Sequence, residues 1–125
     1  MQSQQIRGIG NDIIEISRIR NSLSRYQQHF LNKIYTPAEQ EYCFKRQDPA
    51  PGLAGRFAAK EAIAKALGSG IGAKLSWLDI EVLSSSEGKP YVVFSSKVNN
   101  IFDSPQVLIT ISHCREYAVA TAIYC

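Results

Sequence analysis

Three features of this chain predict an α+β fold, with helices packed on a small antiparallel sheet. Apolar residues return at helical spacing through the first half, strand-like apolar runs crowd the second half, and the segments joining those runs read as hairpin turns. At 125 residues the chain suits one compact domain, residues 1–125, burying roughly two-thirds of the surface an unfolded chain exposes. No internal repeat, low-complexity tract or composition shift marks a boundary, and Gln47-Asp48-Pro49-Ala50-Pro51 is read only as a connection.

The stretch IRGIGNDIIEI reads as the first strand. A helix from about Ser17 to Phe30 follows, its packing face drawn by Ile16, Ile19, Leu23, Tyr26 and Phe30. Arg18, Ser22, Arg25 and His29 fall along another line of that helix, because steps of four and seven residues return to nearly one direction. Such a cationic ridge is either solvated surface or a docking face for an acidic partner. Thr36-Pro37-Ala38-Glu39 starts a second helix, with Thr as cap, Pro first and Glu completing a capping box. Lys45 and Arg46 suit its last turn. A third helix is expected from about Gly52 to Leu67, closed at Gly68. LSWLDIEVL, YVVF, VLITIS and YAVATAIY are the remaining strands, with SSSEGKP and His113–Glu116 as turns.

Apolar residues surround the axis of the third helix, from Leu53, Ala54 and Phe57 to Ala66 and Leu67, so it is read as buried. Its charges then need compensation. Arg56 and Lys60 lie one turn apart and repel unless an anion sits between them; alternatively both snorkel along apolar surface to water. Glu61 and Lys65, roughly opposite, have the spacing of a helix-stabilising pair. Asp12 follows two glycines, which either form a bulge or let something approach the backbone closely. If Asp12 and Glu61 converge, two carboxylates are what Mg²⁺ takes from a protein when water and phosphate oxygens complete its shell. Gly68 and Gly70 in GSGIG could cradle phosphate with backbone N–H groups, though the run follows a helix where a dinucleotide fingerprint would open one.

A net charge of +3 does not by itself mark a nucleic-acid protein. MQSQQIRGIG lacks the pattern of a secretory signal, no apolar run is long enough to span a bilayer, and three scattered cysteines fit reduced thiols, so a cytoplasmic protein with no membrane partner is expected. A metal or nucleophile site at His113-Cys114 is discounted, because adjacent residues of a strand point to opposite faces.

GIGNDIIEISRI, GRFAAKEAIAKALGSGIG, EGKP and SHCREYAVA, in this order and spacing, resemble the bacterial holo-acyl-carrier-protein synthases, the short 4′-phosphopantetheinyl transferases. The resemblance covers nearly the whole chain and implies that family's fold. It implies transfer of 4′-phosphopantetheine from coenzyme A to a serine of apo acyl carrier protein, with Mg²⁺ as cofactor and 3′,5′-ADP as product, in support of fatty acid biosynthesis. It also implies a homotrimer with active sites at subunit boundaries. Carried over, Asp12 and Glu61 match the metal ligands, Glu61 and Lys65 the catalytic pair, and Arg56, Lys60 and His113 positions near the coenzyme. Gly68 and Gly70 lie within the matching run, Arg18 falls in a family-like position for carrier docking, and Arg25 joins it along the ridge. The turn before GKP departs from the family in carrying SSSE, which bears on hairpin geometry alone. Two rival readings are a Mg²⁺-dependent nucleotide or coenzyme A pyrophosphatase, and a non-catalytic nucleic-acid-binding module. The latter lacks the clustered aromatic and glycine signature of an RNA-recognition module.

Overall fold

The computed structural model describes residues 5–125. Strand β1 (Gly8–Glu15) leads into helix α1 (Ile16–Ile34), followed by α2 (Pro37–Phe44) and α3 (Ala50–Leu67). A 3₁₀ turn (Trp77–Asp79) opens β2 (Ile80–Ser84), which pairs antiparallel with β3 (Pro90–Phe94); α4 (Ser96–Phe102), β4 (Val107–His113) and β5 (Tyr117–Tyr124) complete the chain. β5 lies between β1 and β4 in an antiparallel sheet of order β1-β5-β4.

Helix α3 lies against this sheet as the centre of the core, with Leu53, Ala54, Ala58, Ala59, Ala62, Ile63 and Ala64 all at zero exposure. The glycines of β1 allow the contact. A Cβ on Gly8 would stand 1.9 Å from the carbonyl oxygen of Ala66, and one on Gly10 equally close to that of Ala62. The close approach expected at GIG is therefore made by helix α3, at the same strand that carries Asp12. Helix α3 stops at Gly68, in the left-handed region at φ 77°.

The capping box of α2 is present in both directions, Thr36 N–H donating to Glu39 Oε1 (2.9 Å) and Glu39 N–H to Thr36 Oγ1 (3.3 Å). Lys45 is the C-cap of α2 and Arg46 lies beyond it, so neither belongs to the last turn as expected. Helix α1 departs from its expected pattern. Gln27 has φ 50° and ψ −127°, which breaks the helical phase. Tyr26, expected on the packing face, is 53% exposed, while Phe30, Leu31 and Ile34 of the following turn are buried. The cationic line holds for exposed Arg18 and Arg25, but the break separates His29 from it. LSWLDIEVL is a strand only from Ile80. Asp79 Oδ2 accepts from the N–H and hydroxyl of Ser76 (both 2.9 Å), a local alternative to the ladder that makes the 3₁₀ turn. Helix α4, capped by Ser95 and holding Val98 in the core, adds an element to the predicted set.

Candidate active site

The charges of α3 occupy two different environments. Lys60 has no exposure, and its ammonium donates to Glu39 Oε1 (2.7 Å), the Ile34 carbonyl (2.6 Å) and the Trp77 carbonyl (3.1 Å). These use all three donors. Glu39 Oε2 also accepts from Val82 N–H (2.8 Å), so one carboxylate ties α2, α3 and β2 together. Burial pulls the Lys60 pKa down and Glu39 opposes that shift. The anion expected between Arg56 and Lys60 is thus, for Lys60, an internal carboxylate. Its coenzyme role is replaced by a structural one, because no proton remains to donate to a ligand.

Arg56 is also buried, at 6% exposure, yet not satisfied. Its guanidinium stacks 4.3 Å from the ring centre of Tyr42 and reaches Ser84 Oγ only at 3.4 Å, while Nε has no partner. Arg56 and His113 line one cavity of about 230 Å³, with Tyr42, Arg46, Asp48 and Gly55 also in its wall. An unpaired guanidinium donor in a cavity with a second arginine and a histidine suits an anion. The structure therefore unites Arg56 with His113 and separates both from Lys60. Arg46 was missed as a site residue, because nothing in KRQDP distinguishes it from a helix-end cation until the chain is folded.

On the other side of α3, Lys65 donates to Asp12 Oδ1 (3.2 Å) and to the Asn11 carbonyl (2.9 Å). The expected Glu61–Lys65 helix pair is thus replaced by an ion pair from α3 to β1. Glu61 is half-buried, and its pKa is raised by burial first and by the charge of Asp12 second, with Lys65 opposing. Two acids and one cation converge, leaving a surplus of negative charge at Glu61 and Asp12. Among the described residues no group of three or more His, Cys, Asp or Glu could hold a metal ion. Two carboxylates are the number a hard divalent cation takes from a protein when water and phosphate oxygens complete its shell.

Gly68 and Gly70 do not offer the expected phosphate cradle. Gly68 N–H donates to the Lys65 carbonyl (3.0 Å) and Gly70 N–H to that of Ala64 (3.2 Å), both spent closing α3. Both have positive φ, which glycine adopts without strain, and this accounts for their presence. Arg18 and Arg25 are exposed on α1, Arg25 over the ring of Tyr26.

Known proteins are similar to this chain in sequence and in fold. The holo-[acyl-carrier-protein] synthase of Protochlamydia amoebophila is 55% identical over 117 residues, covering 94% of this chain and 96% of that protein. The Chlamydia pneumoniae protein of that name is 54% identical over 115 residues, 92% of this chain and 93% of its own. Among solved structures, the Helicobacter pylori holo-[acyl-carrier-protein] synthase in complex with coenzyme A superposes with a TM-score of 0.86 at 35% identity, covering 94% of this chain and 99% of that one. A Bacillus anthracis holo-(acyl-carrier-protein) synthase in complex with CoA (3′,5′-ADP) gives 0.83 at 39% identity and 97% of each chain. Residues 8–122 match the family model itself, and the chain belongs to the 4′-phosphopantetheinyl transferase superfamily.

Proposed function

We propose that this protein transfers the 4′-phosphopantetheine group of coenzyme A to a serine hydroxyl of apo acyl carrier protein, releasing 3′,5′-ADP. The observation that carries the reading is the convergence of Asp12, Glu61 and Lys65 across β1 and α3, in a chain 55% identical to a holo-[acyl-carrier-protein] synthase. The serine oxygen bonds to the β-phosphorus of coenzyme A as the pyrophosphate P–O bond breaks, and the electron pair of that bond leaves on 3′,5′-ADP. Glu61, directly or through water, accepts the serine proton. Its raised pKa makes it a stronger base than an ordinary carboxylate. Lys65 orients the Asp12 carboxylate, and its ammonium stabilises charge on the departing nucleotide. Asp12 and Glu61 would hold Mg²⁺, which when bound supplies neutralising charge to the pyrophosphate. Arg56 and His113, with Arg46, hold the phosphates of coenzyme A.

The two half-sites lie apart within one chain. Asp12 is on β1 and His113 on β4, the opposite edges of the sheet, and Arg56 and Glu61 are about 140° apart around α3. A head-to-tail ring would bring the β4 edge of one protomer to the β1 edge of the next. The outer sheet face supports such a ring, because Ile9 (67% exposed), Ile13 (61%) and Leu108 (61%) form an apolar patch on it. The resemblance to the holo-acyl-carrier-protein synthases gives such a ring three subunits, a homotrimer, and a fully active monomer in analytical sedimentation would refute it. Exposed Arg18 and Arg25 meet the acidic carrier protein. Among the described residues no helix is long and apolar enough to cross a membrane.

Incubation with coenzyme A, Mg²⁺ and apo carrier protein, followed by mass spectrometry of the carrier, tests the reading. A mass gain of one phosphopantetheine supports it. Release of 3′,5′-ADP with an unmodified carrier would favour the pyrophosphatase, and no reaction at all a binding module.

A further inference from the structure

An acidic residue stands in the wall of the anion cavity. Asp48 lines it beside Arg46, Arg56 and His113, and a carboxylate there repels the phosphates those residues are placed to hold. Asp48 is ionised. The Ala50 N–H donating to Oδ1 (3.2 Å) and the guanidinium of Arg20 at Oδ2 (2.6 Å) hold its pKa below the usual carboxylate value. Arg20 comes from α1, 28 residues away in sequence, and is its only charged partner among the described residues. We infer that Arg20 is a positioning residue for coenzyme A: it turns the Asp48 carboxylate onto itself and cancels a charge that would otherwise repel the ligand phosphates in the Arg56–His113 cavity.

This role differs from that of the neighbouring cations on α1. Arg18 and Arg25 have no carboxylate partner among the described residues and face solvent, whereas Arg20 is engaged with the rim of the cavity. Both partners of the pair are about half exposed, at 51% and 55%, so the pair adds little to stability and its loss leaves the fold intact. Asp48 in turn has a reason to remain, since its Oδ1 satisfies an orphan amide at the start of α3, the helix that carries Arg56.

The inference rests on the reading of this cavity as the coenzyme phosphate site. The test uses the full-length protein and coenzyme A, with affinity read by calorimetry and KM values read for both substrates. Arg20→Gln should weaken coenzyme A about threefold, the scale of one exposed charge pair, with kcat and the KM for carrier protein unchanged. Adding Asp48→Asn, which keeps the oxygen that accepts from Ala50 but removes the charge, should restore coenzyme A affinity. An unchanged affinity in Arg20→Gln, a rise in the KM for carrier protein instead, or a loss that Asp48→Asn does not reverse would each overturn the role. His113→Ala, at an exposed position of the same wall, separates the two levels. If it weakens coenzyme A while Arg20→Gln does not, only the role of Arg20 is wrong; if it leaves coenzyme A binding untouched, the cavity reading and the inference fall together.

Discussion

Lys60 and Glu61 are neighbours on one helix, yet their charges are treated in opposite ways. Lys60 meets Glu39 inside the core, every proton is donated, and the pair is closed at 0% exposure on both sides. Glu61 meets a second acid on β1; burial first and the charge of Asp12 second raise its pKa, and Lys65, bonded to that acid, opposes them without cancelling them. A satisfied charge rigidifies the fold, because nothing outside is needed to complete it. An unbalanced cluster at the surface is costly and persists where a ligand or a reaction completes it. Arg56, buried with an orphan Nε at a cavity, belongs with the second kind although it shares a helical turn with Lys60.

The largest effect should come from breaking the closed pair. Lys60→Met keeps length and apolar stem but strands the Glu39 carboxylate, and should cost about 3–5 kcal/mol of stability in a urea or guanidinium unfolding curve. A wild-type midpoint combined with weakened coenzyme A binding would return Lys60 to the ligand. Glu61→Gln should do the reverse. The ionised form of Glu61 is disfavoured in the fold, so at neutral pH its removal should leave the melting temperature equal or higher, while turnover falls by about 10²-fold or more. Loss of folding with activity per folded molecule preserved would make Glu61 structural.

Asp12→Asn sharpens the same contrast through pH. Glu61 acts as base only when ionised, so kcat/KM should fall as pH drops through its raised pKa. In the metal-free protein Asp12 is the second cause of that rise, so its neutralisation should lower the Glu61 pKa read by NMR titration, and in the assay it should raise the Mg²⁺ requirement. An unmoved Glu61 titration would show that the two acids do not act on each other. The smallest effect lies outside both clusters. Arg18→Glu should raise the KM for carrier protein several-fold, more at low salt than at high, with coenzyme A binding unchanged. Equal loss for both substrates would remove the docking role.

Much of this molecule was legible before folding. Local rules suffice for the capping box at Thr36–Glu39, the stop at Gly68 and the two hairpins, because each depends on residues within a few positions. The same is true of the buried character of α3, which its apolar residues declare all round the axis. Asp12, Glu61 and Lys65 were identifiable as candidates by residue type and spacing, but their meeting depends on Gly8 and Gly10 letting β1 lie against α3, a tertiary contact. The break at Gln27, beyond which Phe30, Leu31 and Ile34 are buried, is equally a tertiary matter, since nothing in the local sequence announces it. Above all, a charge in a sequence carries no record of its partner. Lys60 and Arg56 look alike on a helical wheel, and only the folded chain, by placing Glu39 against one and a cavity against the other, makes the first a strut and the second a candidate ligand for phosphate.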